Sequence, residues 1–149
     1  MSAWSSIWIR ATFKMAAEDG DGGSKADRPM VTLTINDPTL AGPVLERLVS
    51  AAAARAEMPV DRVVNALTAT DGLVAAADKV LGLQSSRQIS VEIGDASLEI
   101  TFGGLVDGQA EALREAAVLP DVGDVLERTA ASVETLKDGT ASRLAIRVD

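Results

Sequence analysis

The sequence predicts an α+β fold in which a mixed, mostly antiparallel sheet is covered on one face by helices. Two pairs of short runs alternate apolar and polar residues around tight turns, as β-hairpins do. Residues 60–81 keep apolar residues at helical spacing over the whole segment. Because the strands group into hairpins with helices between them, the order β-α-α-β-β-α-α-β-β favours one sheet with helices on one side.

The first part of this order is a strand and a helix. Val31–Ile35 is rich in β-branched residues, which favours a strand. Asp37 and Pro38 suit the cap and first turn of a helix. We expect this helix to run to about Glu57, because Met58-Pro59 follows and the residue before a proline disfavours helical backbone.

The longest predicted element is a helix over Val60–Leu81. Asp61 can cap its start, and Gly82 lies where a helix often ends. Its apolar residues recur at three- and four-residue steps, which predicts one buried face. The residues of this predicted face are Val60, Val63, Val64, Leu67, Val74, Ala77 and Leu81.

The second half of the chain predicts two hairpins with two helices between them. The hairpin strands are Gln88–Ile93 with Ser97–Phe102, and Ser132–Leu136 with Ser142–Val148. The intervening helices are a short one around Gln109–Ala117 and a second one at Val122–Ala131.

Charge and composition divide the chain into two parts. In residues 1–29, four basic side chains balance four acidic ones, so residues 30–149 carry the whole net charge of −8. Residues 1–29 are also rich in Gly, Asp and Ser. We expect residues 1–29 to be a disordered or mis-started extension, and residues 30–149 to be one folded domain.

The composition also excludes several kinds of site and partner. The chain has no histidine and no cysteine, which removes Ser-His-Asp catalysis, histidine zinc sites and thiolate chemistry. Acidic charge argues against a nucleic-acid partner and favours a protein with a basic surface. No apolar run is long enough for a membrane span, and we expect a cytoplasmic protein.

Four stretches of residues 30–149 together resemble, in order, the histidine-kinase-like ATPase (GHKL) fold. The family's opening strand and first helix are matched by VTLTINDPTLAGPVLERLVSAAAARAEMP. The family's helix motif Glu-Leu-Val-x-Asn-Ala is matched by DGLVAAA. Its hairpin before the Asp-x-Gly box is matched by SVEIGDASLEITFGG. Its glycine box, last helix and closing hairpin are matched by LPDVGDVLERTAASVETLKDGTASRLAIRV. The chain is most similar to the bacterial anti-sigma factors that double as serine-protein kinases, which implies a two-layer sandwich of the Bergerat type.

The resemblance places altered residues at the family's catalytic helix positions. Asp71 stands where the family has its general base Glu, and Ala75 where it has the Asn that binds magnesium. In the neighbouring register these residues are Gly72 and Ala76. Neither register keeps the Asn, and alanine offers no oxygen to a hard cation.

The two glycine-containing boxes are altered as well. Gly103 aligns with the Asp-x-Gly box, but no carboxylate lies in that register. Gly123 is the one glycine kept in the glycine box, and Asp121 and Asp124 flank it where a triphosphate would sit. Three altered features predict a pseudo-ATPase without catalytic residues, nucleotide or metal, in which Ala75, Gly103 and Gly123 are vestigial.

The resemblance then implies a non-catalytic, anti-sigma-factor-like regulator. We expect it to bind a sigma factor or an anti-sigma antagonist through the first helix, with Glu46, Arg47 and Ser50 in the contact, and to form a homodimer as family members do. Two alternatives stay open. One is an active serine-protein kinase that uses ATP and magnesium, with Asp71 replacing the family's Glu. The other is a structural scaffold that only dimerises.

Overall fold

The computed structural model describes residues 7–14, 28–82, 85–119 and 123–149. In these ranges the strands are β1 (Ile9–Lys14), β2 (Met30–Ile35), β3 (Arg87–Ile93), β4 (Leu98–Val106), β5 (Val118–Leu119), β6 (Gly123–Asp124), β7 (Ser132–Asp138) and β8 (Ala141–Val148). The helices are α1 (Ala41–Arg55), α2 (Val60–Leu81), α3 (Gln109–Ala116) and α4 (Val125–Thr129). The α+β class predicted from the sequence is confirmed.

Six strands form one sheet in the order β1-β2-β3-β4-β8-β7. Each of these neighbouring pairs is antiparallel, so the described strands include no parallel pair. Both predicted hairpins are present, with Val91 opposite Ile100 in one and Val133 opposite Ile146 in the other. β5 and β6 form a separate two-stranded ribbon.

The two faces of the sheet differ in polarity. Alternate residues on the central strands are fully buried beneath the helices, for example Ile89, Ile100 and Leu144. The residues between them are polar, and the Thr32 and Ser90 hydroxyls lie 3.1 Å apart on that face. The sheet therefore has one face packed on the core and one polar face, which matches the predicted covering of a single face by helices.

The edge strand β1 departs from the sequence prediction. Ile9–Lys14 pairs with β2 along its whole length, from Ile9 opposite Ile35 to Lys14 opposite Met30. The domain boundary predicted at residue 30 does not hold for this segment, because its backbone completes the sheet. Residues 1–6 and 15–27 of the predicted extension lie outside the described residues.

The predicted helix bounds of α2 are confirmed, but its buried face is made largely of small residues. Its buried residues are Ala66, Ala69, Thr70, Gly72, Leu73, Ala76 and Ala77. Val60 and Val64 are 80% and 55% exposed, so the prediction that they face the core is wrong. Short side chains at the buried positions let the sheet and the other helices approach α2 closely.

The C-terminal end of α2 is held by the buried side chain of Arg87, which is 2% exposed. Its Nη2 donates to the carbonyl of Gly82 at 2.6 Å, and its Nη1 donates to the carbonyl of Ser85 at 2.8 Å. Asp78 lies 3.5 Å from Nη2. The guanidinium thus satisfies carbonyls at the helix end and in the following loop, and joins α2 to the start of β3.

A glycine pair in α1 and α2 gives a matched test of this close packing. A Cβ on Gly72 would lie 3.1 Å from the Cβ of Val125, whereas a Cβ on Gly42 would meet only the Cγ1 of Val74, at 3.8 Å. Gly42→Ala should raise the free energy of unfolding by up to about 1 kcal/mol through helix propensity. Gly72→Ala should lower it by about 1–2 kcal/mol, because overpacking outweighs that gain.

Urea denaturation of the two variants measures this difference. Adding Val125→Ala to Gly72→Ala should remove the contacts with the two Val125 Cγ atoms and so part of the steric effect, as a double-mutant cycle would show. Equal stabilisation by both single substitutions would contradict close packing at Gly72.

Candidate functional site

The outer side of the α1–α2 pair presents exposed side chains from both helices. On α2, Val60, Val64 and Asp71 are spaced four and seven residues apart, so they lie on one stripe. On α1, Glu46 and Ser50 are four residues apart and exposed. We call these five residues the helical face.

Glu46 and Asp71 join the two stripes of the helical face. Partial burial raises the pKa of the Asp71 carboxyl above its ordinary value of 3.8, and the nearby Glu46 charge raises it further. The two carboxylates, one on α1 and one on α2, are therefore close enough for their charges to interact. Such a pair attracts a cationic side chain of a partner, which would relieve their mutual repulsion.

Of the three residues predicted to bind a partner, the structure brings two into the helical face. Glu46 and Ser50 belong to it, and Arg47 is exposed but lies about a quarter turn further round α1. Arg47 shares its side of the helix with Ala51 and Arg55, at steps of four residues. The predicted surface is thus divided between two sides of α1.

The predicted nucleotide positions on α2 are packed by protein. Ala75 is partly buried, and Gly72 and Ala76 of the alternative register are fully buried. The Val125 side chain at the start of α4 covers Gly72. Neither register places an oxygen ligand where the resemblance would require one for magnesium.

Gly103 lies far from Asp71. It pairs with Gln88 across β3 and β4, and it lines a cavity of about 190 Å³ that also contacts Leu81. Leu81 follows Asp71 by ten residues, which is about 15 Å along a helix. The next residue, Gly104, has a φ of +67° at a register shift in β4, so this glycine pair has a backbone role there.

Gly123 and Asp124 directly precede α4. Gly123 has a φ of +81°, a conformation that favours glycine. The Asp124 carboxylate accepts a hydrogen bond from the Glu127 amide at 3.1 Å and so caps α4. Asp121, the other carboxylate that flanks Gly123 in the sequence, lies outside the described residues. Val125 packs on Gly72, which is the residue after Asp71 on α2. The Gly123-Asp124 turn therefore lies near the part of α2 that carries Asp71.

Asp107, which directly follows β4, forms an ion pair with Lys137 of β7. The Asp107 carboxylate lies 3.0 Å from the Lys137 ammonium. This hydrogen bond, with the charges of Asp107 and Glu111, raises the pKa of Lys137. In the described part of the chain, no group of three or more His, Cys, Asp or Glu side chains could hold a metal ion.

A comparison with protein-family models found no match, and a comparison with curated proteins found none. The resemblance to the histidine-kinase-like ATPase fold therefore stays a prediction. Among the described residues, no helix has both the length and the apolar character that crossing a bilayer requires.

Two residues of the helical face were missed by sequence reasoning. Val60 and Val64 fit the apolar helical period and were placed in the core, yet both are exposed. A second period runs through the small residues of α2, with Ala66, Ala69 and Ala76 at three- and seven-residue steps. If the alanine period is taken as the buried face of α2, the two valines are predicted to be exposed.

The shifted pKa of Asp71 predicts a pH-dependent stability difference. Because the folded-state pKa is raised, the protonated form favours folding. Stability is therefore lost as pH rises from the ordinary value of 3.8 through the raised value. Asp71→Asn should stabilise the protein at about pH 7 and have little effect at about pH 3, where both states of the wild type are protonated.

Denaturation curves at both pH values measure this effect, and an NMR titration of the Asp71 carboxyl reports the pKa directly. Glu46→Gln should lower that pKa by removing the neighbouring charge. A loss of stability for Asp71→Asn at neutral pH would contradict the assignment.

Proposed function

We propose that this chain is a non-catalytic, anti-sigma-factor-like regulator that binds a protein partner through the helical face. The proposed partner is a sigma factor or an anti-sigma antagonist in the bacterial cytoplasm, and the protein acts as a homodimer. Binding would cover the outer sides of α1 and α2 and so block the partner's own contacts.

The exposure of Val60 and Val64 is the observation that carries this proposal. Their side chains are 80% and 55% exposed on one stripe of a well-packed helix, and Glu46 and Asp71 lie at one end of it. An apolar centre beside a charged margin is typical of protein interfaces. The two carboxylates suit a partner whose contacting surface is basic, as the net charge of −8 also does.

The packing at the predicted nucleotide positions supports a function without catalysis. Val125 covers Gly72, Ala75 has no ligating atom, and Asp124 is engaged as a helix cap. Gly72 and Asp124 therefore have roles in the fold, and Ala75 offers no ligating atom. A regulator that acts by occupying its partner's surface needs none of these groups for chemistry.

One observation favours the alternative, an active serine-protein kinase. The raised pKa of the Asp71 carboxyl brings it nearer to the range in which a general base accepts a proton from a hydroxyl. In that case ATP and magnesium would be the cofactors. Asp71→Asn would then abolish phosphoryl transfer while leaving partner binding intact.

Calorimetric titration of the full chain with a non-hydrolysable ATP analogue and magnesium separates these two functions. We expect no saturable heat up to about 1 mM nucleotide, because neither predicted register supplies a magnesium ligand. Saturable binding in the micromolar range would establish a nucleotide site and favour the kinase.

Partner binding is tested with two exposed valines as a matched pair. Val64→Lys lies in the helical face, whereas Val106→Lys alters a 59% exposed valine on β4. With purified sigma factors of the same organism as ligands, Val64→Lys and Glu46→Lys should each weaken binding at least about tenfold. Val106→Lys should leave binding unchanged, and equal loss in all three variants would contradict the assigned surface.

A further inference from the structure

We propose that the cleft between α1 and the β1–β2 edge of the sheet binds an anionic amphiphile, of which an unbranched alkyl carboxylate is the simplest form. The cleft lies on the side of α1 away from Glu46, so this site is separate from the helical face. It neither requires nor excludes the protein partner proposed above.

The cleft has the size and lining of a small-molecule site. Its volume is about 320 Å³, and its walls come from four elements, with Phe13 from β1, Val31 from β2 and Leu48 from α1. Ile93 of β3 also lines it. Small-molecule sites are typically concave, at least about 300 Å³ in volume and mostly apolar, with a few polar groups that fix orientation.

The charges of the cleft point to an anion. Lys14 and Arg55 line it, and no acidic residue does, although the chain as a whole carries a charge of −8. Within the described ranges, neither cation forms an ion pair with a carboxylate. Arg55 lies on the same side of α1 as Leu48 and Ala51, so a carboxylate there would gain a cationic partner at the margin of the cleft, while the apolar chain behind it would be removed from water.

The same charges argue against a second copy of the chain in this cleft. A symmetric contact between two clefts would bring Lys14 and Arg55 of both copies together, and like charges oppose such a contact. A ligand chain in the cleft would cover one side of the Phe13 ring, which is 67% accessible. A small amphiphile satisfies both the apolar walls and the unpaired cations.

The test is an NMR titration of the full chain with decanoate, kept below its micelle-forming concentration. Decanoate should bind saturably and shift the methyl signals of Val31, Leu48 and Ile93. The methyl signals of Val106, at the opposite end of the sheet from the cleft, should not move. Decylammonium, which has the same chain length and the opposite charge, should bind at least about tenfold more weakly.

Two alanines of α1 provide matched variants. Ala51 lines the cleft, whereas Ala54 is exposed and does not line it. Ala51→Leu should fill the cleft and remove decanoate binding, and Ala54→Leu should leave it unchanged. Arg55→Gln should weaken decanoate by about tenfold while leaving the alcohol decanol unaffected.

Three outcomes would overturn the proposal. These are non-saturable decanoate binding, equal binding of decylammonium, or decanoate shifts that persist in Ala51→Leu. Cleft signals that respond to an acidic amphipathic peptide but not to decanoate would likewise overturn it, since the occupant would then be a protein. None of these results bears on partner binding at Glu46 and Val64, which is measured separately.

Discussion

The close packing of α2 is the constraint on which the rest of the structure depends. Ala66, Ala69 and Ala76 are completely buried, and their short side chains bring the helix axis near its neighbours. Gly72 lets α4 pack directly on the helix through Val125. A helix buried along an alanine stripe keeps its larger apolar residues for other sides. The exposed valines of the helical face thus follow from the same packing that fills the predicted nucleotide position.

Much of the fold could be predicted from local patterns. The bounds of α2, Val60–Leu81, and the start of α3 at Gln109 agree with the helical period and its end signals. Both hairpins follow from strict alternation around short turns. β1 could not be predicted in this way, because a short run such as Ile9–Lys14 becomes a strand only where an open sheet edge accepts it. That edge is set by β2, which is distant in sequence from most of the sheet.

The candidate site was predictable only in part, since side-chain neighbours depend on how helices cross. Helical spacing was sufficient to place Glu46 and Ser50 on the surface of α1. The approach of Glu46 to Asp71 depends on the α1–α2 packing, in which a Cβ on Gly42 would meet Val74. Arg87 shows the same limit, because it occupies an inward position of β3 where alternation predicts an apolar residue. Its buried charge is stabilised there, because the guanidinium donates hydrogen bonds to carbonyls at and after the end of α2.

The composition of the edge strand β1 also affects how this protein behaves at high concentration. An edge strand offers unpaired backbone groups, and an apolar one can recruit strands of other molecules into an extended, fibre-like sheet. In β1 the basic and apolar residues alternate along the strand. Arg10 follows the apolar Ile9, and Lys14 follows the apolar Phe13. Stacking a second β1 against the first would bring these cations close together. The charged alternation thus protects the open edge from self-association while leaving its apolar side available.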